Sequence, residues 1–268
     1  MKDEIRLMEE LAMNAWPAEL VEPLDGWRIR WHRMASRRVN SVWPNDWDGQ
    51  VPLAIKLEKV ELFYTLRGQP ARYQICPAAL PDGLDEVLET RGYTVDGVTA
   101  VQVVEVPEVL ARIFPSPPRA NTLRRPLPAG ERGEEVKIFE TLTDEWLEGY
   151  CLMQEAGVKN VPSRREALGR VVAPGVYVLV CVNGEAAAVG RGVLERGWLG
   201  VFGMSIRREF RRRGYATEVL GTLAGWAQLY DAEKMYLQVL ENNPGAKALY
   251  EKVGFETLYH YHYRESPH

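Results

Sequence analysis

The chain has 268 residues, 46% apolar and 26% charged, with a net charge of −4. This ordinary globular balance excludes a fibre or a disordered tract, and a nucleic-acid binder would carry a basic excess that is absent here. The length suits two domains of common size, large enough to bury substantial cores.

Residues 3–14 read as an amphipathic helix, with Ile5, Leu7, Met8, Leu11 and Ala12 near helical spacing. A strand is expected at 26–32, where Trp27, Ile29 and Trp31 alternate with Arg28 and Arg30. A loop at 44–52 leads to a helix at 53–67, a strand at 71–76, a helix at 83–90 and a strand at 99–105. Residues 114–134 hold Pro115, Pro117, Pro118, Pro126 and Pro128. Such proline density builds neither helix nor central strand, so this stretch is expected to link a domain at 1–113 to one at 135–268. The second domain reads as a strand at 135–140, helices at 143–154 and 163–171, and strands at 177–183, 186–194 and 198–206. Asn183-Gly184 is a hairpin turn signal. A helix at 217–230, a strand at 235–240, a helix from Ala246 and a strand at 256–263 complete the chain.

Three cysteines, Cys76, Cys151 and Cys181, are widely spaced and follow no metal-ligand pattern, as in a reducing compartment. Residues 1–11 have neither the apolar core nor the cleavage site of a signal peptide, and no stretch approaches the ~20 apolar residues of a membrane helix. A cytoplasmic protein is expected, with no membrane and no nucleic-acid partner.

Between the strand at 198–206 and the helix at 217–230 stands Arg211-Arg212-Arg213-Gly214-Tyr215-Ala216. Small residues here let a ligand approach the backbone, and the first N–H groups of a helix have no partner of their own. Together with the helix dipole they favour a phosphate. Downstream come Asn242-Asn243-Pro244-Gly245-Ala246, Leu249-Tyr250 and Gly254-Phe255. The first run resembles the pyrophosphate loop of the GNAT (GCN5-related N-acetyltransferase) superfamily. The second resembles that superfamily's Asn-x-x-Ala-x-x-Leu-Tyr-x-x-x-Gly-Phe signature. The likeness is detailed over about 198–263 and looser over 136–263.

This resemblance implies an α/β fold with a mixed, mostly antiparallel central sheet flanked by helices, preceded by a smaller α/β domain. It implies acetyl-CoA as cosubstrate and transfer of acetyl to a primary amine of a small molecule by direct attack in a ternary complex. It places Met204, Ser205 and Ile206 along the pantetheine arm, with Gly203 permitting a bulge. Arg211, Arg212, Arg213, Gly214, Tyr215 and Ala216 would cradle the pyrophosphate. Asn243 would touch the pantetheine or cap its helix, and Tyr250 would protonate the leaving thiolate or simply pack on Phe255. No general base is evident, no metal site is expected, and a homodimer is left as a possibility. A non-catalytic acyl-CoA sensor is the alternative reading, and O-acylation or peptide N-terminal acylation would need only a different acceptor pocket.

Three further features stand out. The segments 53–67, 72–75, 84–90 and Gly92-Tyr93 parallel 217–230, 236–239, 246–253 and Gly254-Phe255, aligning Gln74 with Gln238. The first half is therefore expected to be a degenerate GNAT-like repeat without the phosphate loop. Its Trp27, Trp31, Trp43 and Trp47 cluster with Arg28, Arg30, Arg37, Arg38 and Asn40, as core and rim or as a ligand site. The tail Tyr259-His260-Tyr261-His262-Tyr263 alternates its faces as a strand, with two histidines on one of them.

Overall fold

The structure is a computed structural model that describes residues 1–33, 36–115, 133–154 and 161–267. One compact unit comprises Met1–Val101, Leu240–Asn242 and Leu258–His268; the other comprises Gln102–Val239 and Asn243–Thr257. Most of the proline-rich stretch, 116–132, lies outside the described residues.

In the first unit, helix α1 (Lys2–Ala15) buries Ile5, Met8, Leu11 and Ala12 as their spacing requires. The strands β1 (Leu20–Leu24), β2 (Trp27–Trp31), β3 (Val42–Trp43), β4 (Arg72–Ile75) and β5 (Thr94–Glu105) are joined by β11 (Glu256–Glu265), in the order β1-β2-β3-β4-β11-β5. All pairings as far as β11 are antiparallel except β3 with β4, which is parallel. Helices α2 (Leu53–Thr65) and α3 (Leu84–Thr90) bury Leu57, Val60, Leu84 and Leu88 against Trp27, Ile29, Val42 and Tyr73. The expectation missed β1, β3 and the first five residues of β5. β1 carries Pro23, which only an edge strand tolerates, and two-residue β3 is too short for an alternating pattern.

The first helix of the second unit is α4 (Val106–Ile113), which the sequence reading also missed; its Pro107 occupies the first turn, where no N–H is needed. Strands β6 (Glu134–Phe139), β7 (Gly175–Val182), β8 (Glu185–Glu195) and β9 (Trp198–Ile206) form an antiparallel meander, and β10 (Lys234–Leu240) adds to β9 in parallel. Helices α5 (Asp144–Leu152), α6 (Val161–Gly169), α7 (Tyr215–Leu229) and α8 (Pro244–Lys252) complete it. Fully buried Trp146 fixes α5 to the sheet: its Nε1 donates to the Val178 and Gly190 carbonyls at 2.9 and 3.2 Å. On the sheet's other face Gly190 leaves no room for a side chain, since a Cβ there would lie 2.5 Å from Val219 of α7. Both units are thus α/β with mixed, mostly antiparallel strands.

The two units share more than their element order. β3-α2-β4-α3 in one and β9-α7-β10-α8 in the other are each a parallel crossover followed by a helix. Val42 pairs with Tyr73 as Val201 pairs with Leu237, so Gln74 and Gln238 follow at matching register positions. Arg28 sits opposite Trp43 and Arg191 opposite Phe202. Both guanidinium groups lie over those rings, at 4.6 and 5.1 Å.

Local packing differs sharply where the second unit has its glycine loop. At the start of α2, the fully buried Lys56 ammonium sits 4.0 Å from the Trp27 ring and 3.8 Å from the Trp47 ring. It donates to the Asp25 carbonyl at 2.7 Å and to its carboxylate at 3.3 Å. The tryptophan–arginine cluster is therefore core, cages and rim.

On the α1 side of the same unit, Glu9 is buried among Tyr259, whose hydroxyl donates to it at 2.7 Å, Gln74 and Arg30. Burial pushes its carboxyl up to about 7, against the pull of Tyr259, Arg30 and Arg38. The folded state thus holds a proton that the unfolded chain releases near 4.5. Stability from this group is complete below that value and is lost as pH rises through 7. The denaturant midpoint is expected to fall between pH 5 and 8, the group contributing up to ~3 kcal/mol, and Glu9→Gln to flatten the slope. A flat wild-type profile over that range would contradict it.

Candidate functional site

The site begins where two neighbouring strands part. The parallel ladder of β9 with β10 runs from Trp198↔Lys234 to Val201↔Leu237 and stops. On its other edge β9 continues against β8 to Ile206, but with a register shift opposite Gly190. Gly203 lies at this shift with φ of +63°, a conformation that a side chain would oppose. Ser205 and Ile206 therefore keep their β8 side occupied, while Met204 to Ile206 carry no ladder pairing on the β10 side.

Past β9, the chain turns through a short 3-10 segment at Arg208–Phe210 and enters the arginine loop. Arg212 (φ +66°) and Gly214 (φ +94°) are both left-handed, and Gly214 is the N-cap of α7 with no side-chain cap. The first bond within the helix is Glu218 N–H to the Gly214 carbonyl. The N–H groups of Tyr215, Ala216 and Thr217 therefore lie at an uncapped helix start, where the dipole favours an anion.

Nothing lies within 4 Å of a Cβ built on Gly214, so the space beside that residue is open. The buried Tyr215 anchors the turn through its hydroxyl, which donates to Glu134 at 2.8 Å.

A cleft of about 700 Å³ joins the loop to the bare edge of β9 and to α8. Met204, Ser205, Ile206, Arg211, Arg212, Gly214, Tyr215, Ala216, Asn243 and Tyr250 all line it. Arg213 does not; its guanidinium lies over the Phe210 ring at 5.6 Å. Sequence reasoning missed Thr217 and Lys252, which line the cleft from α7 and α8. The last-turn position of Lys252, two residues after Tyr250, was the only available signal. Arg211, Arg212 and Lys252 make the cleft cationic, and no carboxylate is among its described lining residues.

Asn243 performs the capping role: its Oδ1 accepts the Ala246 N–H at 3.2 Å, and Pro244 follows at the first helical position. Tyr250 projects from the last turn of α8 and packs edge-on against Phe255, with ring centroids 5.8 Å apart. Burial pushes its phenol up to about 12, so it stays protonated at neutral pH. Among the described residues its hydroxyl makes no hydrogen bond. Packing and an available donor thus coexist in one side chain.

All three cysteines are buried and free, and none lines the cleft. Tyr259, Tyr261 and Tyr263 are buried and belong to the first unit. His260 and His262 contact separate carboxylates, Glu241 and Asp85, each at 2.9 Å. No helix among the described residues is long and apolar enough to cross a membrane.

Comparison with known proteins places this geometry. Residues 2–264 match the family described as "Probable histone acetyltransferase Rv0428c C-terminal". An "Uncharacterized N-acetyltransferase YobR" of Bacillus subtilis (strain 168) is 28% identical over 263 residues, 98% of each chain. Among solved structures, a GCN5-related N-acetyltransferase from Kribbella flavida has a TM-score of 0.63 at 15% identity, covering 100% of this chain and 95% of its own. A "Tandem GNAT protein from the clavulanic acid biosynthesis pathway" has a TM-score of 0.60 at 11% identity, covering 80% of this chain and 68% of its own. These structural likenesses concern the fold.

Because the Tyr250 hydroxyl holds no partner among the described residues, Tyr250→Phe is expected to change unfolding free energy by less than ~0.5 kcal/mol. Chemical denaturation of both proteins checks this, and a large loss would reveal a structural bond to the phenol.

Proposed function

The chain belongs to the Rv0428c C-terminal acetyltransferase family, within the GNAT superfamily of N-acetyltransferases, and from that membership we propose that it transfers acetyl from acetyl-CoA to a primary amine of a small molecule. The observation that carries this reading is the joining of three parts in one cleft. They are a strand edge with no ladder partner, an uncapped helix start, and a protonated phenol without a hydrogen-bond partner among the described residues.

Each part has a task in the proposed reaction. The N–H groups at the start of α7, with Arg211, Arg212 and Lys252, take the pyrophosphate and its charge. Backbone groups of Met204 to Ile206 pair with the amides of the pantetheine arm, as a further strand would. That fixes the thioester before the amine arrives, and positioning is a large share of any two-substrate acceleration.

The chemistry itself needs one new bond, one broken bond and one moved proton. The amine nitrogen attacks the thioester carbon, the C–S bond breaks, and a proton of the attacking nitrogen ends on the thiolate. Tyr250 lies in the cleft to donate to that thiolate. A phenol near 12 facing a thiol near ~8.5 is the weaker acid, so Tyr250 stabilises the departing sulfur chiefly as a hydrogen-bond donor. Complete transfer draws on the ammonium formed by attack. With no carboxylate lining the cleft, the amine is taken to enter as the free base or to lose its proton to water. The rate should accordingly rise with pH towards the amine's own pKa.

Calorimetric titration with acetyl-CoA tests the cofactor. Wild type is expected to bind at micromolar levels and Gly214→Asp to lose at least about tenfold, because a carboxylate would face the pyrophosphate. Equal affinity in a folded variant would sink the loop's role. For the chemistry, Tyr250→Phe is expected to slow thiol release by about 10- to 100-fold with little change in acetyl-CoA affinity. An unaltered rate would leave Tyr250 as a packing residue.

A further inference from the structure

We propose that the outer face of α2 is a self-complementary surface on which a second copy of this chain docks. The two helices lie antiparallel, related by a two-fold axis that passes between Glu58 and Lys59. The inference concerns the first unit alone and is independent of the acyl transfer proposed above.

The inner side of α2 belongs to the core, where Lys56, Leu57, Val60, Phe63 and Tyr64 are buried. The outer side lacks the polar character of a solvated face. Ile55, Leu62 and Leu66 there are 42%, 58% and 74% exposed. Leu66 caps the helix in right-handed α conformation and so prolongs it. At helical spacing the three side chains fall within about 40° of one another, on a line about 16 Å long. Among the described residues no other helix presents three exposed large apolar side chains. A single exposed leucine is commonplace, whereas an aligned set of this kind marks a contact surface.

Two charges on the same face identify what covers it. Glu58 and Lys59 are both exposed, and neither side chain has an ion pair or hydrogen bond among the described residues. Adjacent residues of a helix point apart, so they do not pair with each other. The helix supplies no other partner. Three and four positions from Glu58 stand Ala54, Ile55, Glu61 and Leu62; from Lys59 they are Ile55, Lys56, Leu62 and Phe63. The helix's remaining charges are engaged, Lys56 with Asp25 and Glu61 with Arg91 and Tyr93.

Antiparallel self-pairing answers both observations with one axis. Residues equally far from the axis meet across it. Glu58 meets Lys59 of the second copy, and Lys59 meets its Glu58. Ile55 meets Leu62 of the second copy, and Leu62 meets its Ile55. Leu66 reaches just past the start of the opposite helix, where Pro52 is exposed. A parallel two-fold pairing would instead set Glu58 against Glu58 and Lys59 against Lys59. The register that matches the apolar residues is therefore the one that matches the charges. That is the property an isologous interface requires, and an unrelated partner would not impose it. One helix face is smaller than the ~800 Å² per partner of a standard stable interface, so association in the micromolar range is expected.

Sedimentation equilibrium of the full chain at about 1 to 200 μM tests this. Wild type is expected to dimerise with a micromolar Kd. Leu62→Glu should weaken dimerisation by at least about 30-fold, because it buries a charge at two symmetry-related contacts. Glu58→Lys and Lys59→Glu each set two pairs of like charges against one another and should each weaken it by at least about fivefold. The double exchange Glu58→Lys with Lys59→Glu restores the attraction and should return Kd to within about threefold of wild type. All four variants alter exposed residues and are expected to keep the wild-type denaturant midpoint. A wild type that stays monomeric throughout overturns the proposal. So does a dimer that Leu62→Glu leaves intact, since it then uses another surface. Single exchanges that weaken the dimer without recovery in the double exchange overturn the antiparallel register. A monomeric wild type whose folding Leu62→Glu destabilises would show that the chain covers this face with its own residues, and would equally overturn it.

Discussion

The parting of β9 from β10 after Val201 and Leu237 is the constraint on which the site depends. A parallel ladder that ran on to Ile206 would consume the backbone groups of Met204 to Ile206 and leave only a solid sheet. Gly203 makes the departure possible on the β8 side, where the register shifts opposite Gly190. Gly190 in turn must lack a side chain because Met204 and Val219 of α7 occupy that space. Two glycines on adjacent strands thereby let one strand bend while a helix stays close beneath it. The same bend delivers the chain to the start of α7, whose unpaired donors face the cleft. Strand edge and helix start are consequences of one local geometry.

Charge then sorts what the cleft can hold. Arg211, Arg212 and Lys252 line the cleft, while Glu209 pairs with Arg207 and Glu134 takes the Tyr215 hydroxyl. An anionic ligand is favoured at the loop, and in the proposed reaction proton handling falls to a phenol, water and the substrate itself. Burial of Tyr250 matters here in a specific way. It keeps the hydroxyl protonated, and so a donor, at neutral pH.

The first unit shows the same topology put to another use. Its crossover β3-α2-β4 repeats β9-α7-β10, and the arginine-over-aromatic pair recurs at matching positions. Yet Lys56, Asp25, Trp27 and Trp47 fill the start of α2. Glu9, Arg30 and Gln74 fill the other face of the strand. A buried cation and a buried carboxyl are costly unless held by partners. Each is held, by rings and a carbonyl in one case and by a hydroxyl and an amide in the other. The tryptophans and arginines that could have signalled a binding surface are the means of closing one.

Much of this was legible from residue order alone. The spacing of Arg211, Gly214 and Ala216, followed by Asn243, Ala246, Leu249 and Tyr250, located the cleft because loop geometry and helix caps are local properties. They are fixed by which residues tolerate left-handed backbone or bond their own helix start. The alternating tail and the repeat of helix, strand, helix and glycine were readable for the same reason. What only the tertiary structure decided was which side chains end up facing one another. It turned Arg213 onto Phe210, brought Lys252 to the cleft and enclosed Lys56 between two rings. It also satisfied Gln74 while leaving the oxygen of Gln238 without a partner among the described residues. Those outcomes depend on register and on helices packed from distant parts of the chain. Two glutamines with similar flanking sequence therefore differ because the three-dimensional neighbours that meet them differ.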